Sequence, residues 1–233
     1  MNRKIIIAII VIIILGVFAY GIYYVNDYYH SDSKAESLMN GTDNVTVQKI
    51  SNGLLADGPG NDTALIIYPG AKVEYTSYLP LMVELAQNNI DCFVVEMPFN
   101  LAILNENAAD DIINSYNYTN FYISGHSLGG VVASNYVNHT NRTDGLILLS
   151  AYPSEEIQKP VLSVYGSEDR VLNIEKYDQS KTLMSNFTEI IIKGANHAQF
   201  GDYGFQEGDG TAKITPEKQQ EKTAKAITEF IND

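Results

Sequence analysis

Residues 125–129 read Gly-His-Ser-Leu-Gly, which matches the G-x-S-x-G pattern of a nucleophile elbow. A predicted buried strand, 120–124, comes directly before this motif, and a predicted helix, 128–137, follows it. Glycine two residues before and two after the serine lets the strand and the helix approach closely. The sequence therefore predicts Ser127 as a nucleophile, with the Leu128 N–H directed at a developing oxyanion from the helix start.

A serine hydroxyl needs a base to become a good nucleophile. The chain has four histidines, and His197 is the candidate because it follows the last predicted strand, 189–193. The carboxyl edge of a parallel sheet would bring that loop beside the elbow. The others are predicted in a polar tether, in the elbow and at a helix C-terminal cap: His30, His126 and His139.

The acidic partner is expected between the serine and the histidine in chain order. Asp169 directly follows a predicted buried strand, 161–165, and Glu168 is the alternative. The second oxyanion donor is expected in the loop after the first buried strand, 64–68, where the Ala71 N–H is the candidate. Four further side chains are candidates for lining the pocket: Lys72, Glu74, His126 and Tyr203.

Apolar runs alternate with helical patterns along the chain after residue 44. Strands are predicted at 45–50, 64–68, 92–97, 120–124, 146–149, 161–165 and 189–193. Helices are predicted at 79–87, within 101–116, and at 128–137, 175–184 and 217–231. Solid apolar strands alternating with helices predict an α/β fold with a mostly parallel sheet covered on both faces.

Six segments together resemble a small alpha/beta-hydrolase family of the fold-5 type, distantly similar to dienelactone hydrolases and esterases: 68–74, 96–102, 125–130, 150–153, 165–169 and 194–204. The resemblance covers about residues 45–232. It implies the triad Ser127, Asp169 and His197. Dienelactone hydrolases carry cysteine at the nucleophile position, so serine here argues against that particular activity.

Only about ten residues, 150–159, separate the fourth and fifth buried strands, where lipases insert a lid. No cap domain fits there, so the site is expected to be shallow and open. Because such a site buries few methylenes, we expect a preference for short acyl esters.

Residues 5–25 form an uncharged apolar run, long enough as a helix to span roughly 30 Å of hydrocarbon. Arg3 and Lys4 precede it and tyrosines end it, which predicts residues 1–4 in the cytoplasm and the domain, 45–233, outside the cell membrane. A cleaved signal peptide is the alternative, and a buried core helix the third. Polar residues 26–44 are predicted as a flexible tether of roughly 25 Å.

The formal net charge is −13, from 28 acidic and 15 basic residues, which argues against a nucleic-acid partner. The one cysteine, Cys92, lies in an apolar run and is expected to fill the core. Seven Asn-x-Thr sequons suggest a glycosylated exterior where the host has that machinery. No metal or cofactor is predicted.

The leading hypothesis is a membrane-anchored serine hydrolase acting on a small-molecule ester through an acyl-enzyme on Ser127. Amide hydrolysis or acyl transfer would use the same residues. A non-catalytic binding domain on the same fold is the alternative from a different class.

Overall fold

A computed structural model describes residues 2–60 and 62–233, and its centre is one eight-stranded sheet. The strands are β1 (Thr46–Ile50), β2 (Gly53–Asp57), β3 (Thr63–Tyr68), β4 (Asp91–Val95), β5 (Asn120–His126), β6 (Gly145–Leu149), β7 (Val161–Gly166) and β8 (Phe187–Ile192). Their order is β1-β2-β4-β3-β5-β6-β7-β8. Strand β2 is antiparallel to both neighbours, and all other pairs are parallel.

Seven α-helices accompany the sheet within the described residues: α1 (Arg3–Asn26), α2 (Ser33–Ser37), α3 (Leu79–Gln87), α4 (Ala108–Ser115), α5 (Leu128–Asn138), α6 (Ile174–Ser180) and α7 (Pro216–Asn232). Alternate strand residues point to opposite faces, which creates two core layers. Leu65 and Ile67 pack with α3 and α7 on one face, and Ile66 packs with α4 and α5 on the other. The predicted α/β fold with helices on both faces is confirmed.

Strand β2 was not predicted from the sequence, although its signal is present. Ile50 pairs with Gly53 across a two-residue turn, Ser51–Asn52, which joins β1 and β2 as a hairpin. Asn-Gly after an alternating strand favours a hairpin, although here the loop is shifted by one residue and Gly53 begins β2. Gly53 has a φ of 154° and lies so close to the Val94 carbonyl that a side chain there would collide with it.

The segment 26–44, predicted as a flexible tether, is packed against the domain instead. Tyr29 bridges to Val73: its N–H donates to the Lys72 carbonyl at 2.7 Å, and its own carbonyl accepts from the Glu74 N–H at 2.9 Å. Ala35 in α2 is fully buried. A free linker of 25 Å therefore does not describe this segment, because only Asp27 and Tyr28 separate the end of α1 from Tyr29, which pairs with the domain.

Helix α1 is 24 residues long and uncharged after its first two residues, and none of its side chains is buried. Among the described residues it is the helix long and apolar enough to cross a membrane. The connection between β6 and β7 contains no helix, as its length predicted. Six sequon asparagines are exposed, and Asn61 lies outside the described residues.

Candidate active site

The predicted elbow is a strained turn between β5 and α5. Ser127 has φ 55° and ψ −125°, in the region that side chains other than glycine seldom adopt. Its N–H donates to the Leu149 carbonyl of the neighbouring strand at 3.0 Å, which holds the turn in place. A side chain on Gly125 would collide with the Gly129 backbone, so the motif glycines allow this turn to close.

The predicted base and acid meet at the carboxyl edge of the sheet. The Nδ1 of His197 lies 2.9 Å from Oδ2 of Asp169, and both side chains are 1% exposed. Asp169 Oδ1 accepts hydrogen bonds from the N–H groups of Val171 (2.9 Å) and Leu172 (2.8 Å). These two donors fix the orientation of the carboxylate, so its second oxygen faces the imidazole.

The Asp169 carboxyl is held in its ionised form. Burial by itself would raise its pKa, but the hydrogen bond and the charge of His197, with the Leu172 amide, bring the pKa below its ordinary value. An ionised Asp169 accepts a hydrogen bond from the Nδ1–H of His197, which leaves Nε2 as the ring nitrogen that can take a proton. That tautomer is the one a general base requires.

Glu168, the alternative acid, turns away from the histidine. Its carboxylate accepts from Lys213 Nζ at 2.8 Å and from Ser167 Oγ at 3.1 Å. The structure therefore brings Asp169, and not Glu168, against His197.

Ser127 and His197 line one cavity of about 210 Å³. Ser127 Oγ and His197 Nε2 make no hydrogen bond to each other, and Nε2 has no partner among the described residues. Catalytic hydrogen bonds of this kind are often long before substrate binds. The remaining lining comes from α5 and from the loops after β6 and β7: Leu128, Val131, Ser150, Ala151, Tyr152, Val171, Leu172 and Asn173.

The two predicted oxyanion donors lie on adjacent segments. Gly129, which follows Leu128, packs so closely on the carbonyls of Tyr68 and Pro69 that a side chain there would collide with both. The start of α5 therefore sits beside the loop that carries Ala71. The Gly70 N–H in that loop donates to the Tyr78 hydroxyl at 2.9 Å, which anchors the loop to the core.

Two of the predicted pocket residues, Lys72 and Glu74, contact the N-terminal segment instead of the cavity. Lys72 Nζ lies 2.6 Å from Asp27 Oδ2, and Glu74 Oε2 accepts from the Ser31 N–H at 3.1 Å. The physical reason is the backbone: Lys72 has a φ of 59°, and the residues after Ala71 pair with Tyr29. The expectation that they line the pocket was wrong.

The other two, His126 and Tyr203, form buried packing behind His197 and do not line the cavity either. The rings of His126 and His197 are 4.6 Å apart, and Tyr203 lies 6.4 Å from His126. His126 Nδ1 is 2.8 Å from the Tyr78 hydroxyl. Because the ring is fully buried and faces a second histidine, its pKa is well below the ordinary value, and it stays neutral.

Asp209 has a role that the sequence did not predict. Its Oδ2 accepts from the Ala198 N–H at 2.9 Å and its Oδ1 from the Arg170 N–H at 3.3 Å. Those amides directly follow His197 and Asp169, so one carboxylate joins the two loops that carry them. Within the described residues, no group of three or more His, Cys, Asp or Glu side chains is arranged to hold a metal ion.

Residues 64–221, about two thirds of the chain, match the sequence pattern described as the Alpha/beta hydrolase family. The chain belongs to the alpha/beta hydrolase family. No curated protein matches it at a significant level.

Solved structures share the fold of this alpha/beta hydrolase at low sequence identity. Est1E from Butyrivibrio proteoclasticus is 16% identical with a TM-score of 0.58, over 82% of this chain and all of its own. The CarC enzyme, a serine hydrolase involved in carbazole degradation, is 13% identical with a TM-score of 0.60, over 81% and 99%. A membrane phospholipase A, described as a bacterial virulence factor, is 10% identical with a TM-score of 0.62, over the whole of both chains.

Proposed function

We propose that this alpha/beta hydrolase is a serine hydrolase that cleaves a carboxylic ester through an acyl-enzyme on Ser127. The observation that carries the proposal is the buried Asp169–His197 hydrogen bond beside a cavity that Ser127 also lines. A binding domain has no need of a strained serine, an oriented imidazole and an ionised buried carboxylate together.

In the proposed reaction, Ser127 Oγ attacks the ester carbonyl carbon while His197 Nε2 takes the hydroxyl proton. The carbonyl electron pair moves to oxygen, where the N–H groups of Leu128 and Ala71 stabilise the negative charge. Collapse of this tetrahedral species breaks the bond to the alcohol, which leaves with the proton from Nε2. Water then repeats these steps on the acyl-enzyme, and Asp169 balances the imidazolium charge in both halves.

The small volume of the cavity favours substrates with a short acyl group. Each methylene removed from water contributes about 0.8 kcal/mol, but only where a wall can cover it. A cavity of about 210 Å³ with no helix in the β6–β7 connection offers little wall beyond the first carbons. We infer a preference for acyl chains of about two to six carbons.

The length and apolar composition of helix α1 support the proposal that it anchors the protein in a membrane. Arg3 and Lys4 before it favour an N-terminus in the cytoplasm and a hydrolase domain outside. Protease added outside intact cells is expected to degrade the domain. Protection of the domain would contradict this orientation, and a mature chain that lacks α1 would identify a cleaved signal peptide instead.

Ester turnover tests the proposal. We expect the purified chain to hydrolyse p-nitrophenyl butyrate and the Ser127→Ala variant to lose that activity with its melting temperature unchanged. Ser154→Ala, an exposed serine in the β6–β7 connection, is the matched control and should retain full activity. Turnover of anilides but not of esters would identify an amidase, and a folded chain that turns over neither would favour a binding domain.

A further inference from the structure

The end of α1 is fixed to one edge of the hydrolase domain. Asp27, one residue after the helix, pairs with Lys72, whose ammonium group also lies 4.9 Å from the centre of the Tyr24 ring. Helix α1 also contacts the turn Pro98–Asn100. These contacts lie in the loops that follow β3 and β4, at the carboxyl edge of the sheet.

Exposed apolar side chains gather at this same edge. Phe99, Ile103 and Leu104, in the loop after β4, are 61%, 59% and 51% exposed. Phe205, in the loop after β8, is 78% exposed and shares a surface cavity with Asp27 and Tyr28 at the end of α1. Single exposed apolar residues are common, but a group of them on one side of a domain marks an interaction surface.

The opposite edge of the sheet, at the amino ends of the parallel strands, carries exposed asparagines. Asn117, Asn141 and Asn186 are exposed and precede β5, β6 and β8, at the amino ends of these strands. Asn138, also exposed, ends α5 near that edge. The edge far from α1 thus carries exposed asparagines, whereas the edge where α1 is attached carries exposed apolar side chains among charged ones, such as Glu96 and Glu207.

We propose that the carboxyl edge of the sheet rests on the bilayer that α1 spans, with Phe99, Ile103, Leu104 and Phe205 seated in the membrane interface. The surface that these four residues form is called the apolar rim below. This inference rests on the membrane anchoring proposed above and goes beyond the esterase activity.

The attachment geometry selects the bilayer as the occupant of the apolar rim. Helix α1 has no buried residue and contacts the domain near its C-terminal end, and its 24 residues give about 36 Å of helix that could enter the membrane. Only Asp27 and Tyr28 lie between α1 and the bridge of Tyr29 to Val73. The edge that holds this bridge is therefore the part of the domain nearest the membrane surface.

The charge of the protein indicates which lipids suit this contact. A chain with a net charge of −13 is repelled by anionic lipids. Zwitterionic lipids therefore suit the apolar contact better. The cavity that holds Ser127 lies at the same edge, which places it next to the membrane surface. Esters that partition into the interface are therefore concentrated near the nucleophile.

Fluorescence quenching in lipid nanodiscs tests the proposal on the full chain. Cys92→Ala removes the one native cysteine, and Leu104→Cys or Phe205→Cys then carries a single environment-sensitive fluorophore. Asn141→Cys and Asn186→Cys are the matched controls on the opposite edge. In phosphatidylcholine discs that contain a nitroxide lipid, we expect the rim labels to be quenched at least about threefold more than the controls, with no loss at high salt.

Equal quenching at the two edges, or failure of the chain to enter the discs, would overturn the proposal. If one rim variant does not fold, the other decides the result. Hydrolysis of water-soluble p-nitrophenyl butyrate by the same discs separates the two proposals. Rim quenching without turnover would support the membrane contact and contradict the esterase, and turnover without quenching would do the reverse.

Discussion

The substitution Asp169→Asn tests the acid–base pair, because the structure dictates how the asparagine must sit. Two backbone N–H groups, of Val171 and Leu172, donate to Oδ1 of Asp169. An asparagine at this position would give its only oxygen to these donors and turn its NH₂ toward His197. Nδ1 of the imidazole would then have to accept a hydrogen bond, and its proton would move to Nε2.

In that tautomer His197 cannot take the proton of Ser127. We expect kcat to fall by about 10⁴-fold, or about 5.5 kcal/mol in activation free energy, with KM changed little. The shape of the side chain is preserved, so the melting temperature should shift only slightly. Burst kinetics with a p-nitrophenyl ester measure the acylation step directly.

The control is Glu168→Gln, one residue away. Glu168 pairs with Lys213 at the surface, so its loss should change kcat by no more than about twofold. A fall of less than tenfold for Asp169→Asn, or a larger effect for Glu168→Gln, would refute this assignment of the acid.

Four further predictions concern the surroundings of the triad. Asp209→Ala should lower kcat about tenfold with little change in KM, because it releases both loops that carry the acid and the base; steady-state kinetics measure this. Tyr78→Phe leaves the buried Gly70 N–H and His126 Nδ1 without their hydrogen-bond partner. It should therefore lower the free energy of unfolding, measured by chemical denaturation, by about 1–3 kcal/mol and reduce kcat. Burial, with a neighbouring aspartate, raises the pKa of Asp202, so its ionisation costs stability as the pH rises. Asp202→Asn should therefore raise the melting temperature at about pH 7 and not at about pH 3, below both the unfolded and the folded pKa. A series of p-nitrophenyl esters should show kcat/KM levelling off by about six carbons, and a steady rise to twelve would reveal an acyl groove.

Seven of the eight strands could be predicted, as could the placement of Ser127, Asp169 and His197 at one edge of the sheet, because their signals are local. A buried strand of a parallel sheet is a solid apolar run, and its carboxyl end leads directly into a functional loop. Ser127 and Asp169 each follow a buried run within a few residues, and His197 follows the apolar run of the edge strand β8. Chain order and topology were then enough to bring them together at one edge.

The features that were missed depend on contacts between distant segments. Residues 26–44 are polar on average, so their composition predicted a free segment. Three apolar residues within it nevertheless pack against the domain and hold the segment in place: Tyr29, Ala35 and Leu38. Lys72 is one residue from Ala71 in sequence, but a positive φ turns its side chain to the other side of the loop. Sequence proximity to a site does not determine which way a side chain points.

Covalent labelling of the purified chain with a fluorophosphonate, followed by peptide mapping, tests the central claim most directly. A serine activated by His197 and Asp169 attacks phosphorus and loses the fluoride, which leaves a stable adduct. We predict one adduct per chain, on Ser127, absent from Ser127→Ala and formed far more slowly by His197→Ala. A folded wild-type chain that stays unlabelled, or an adduct on another residue, would contradict the account.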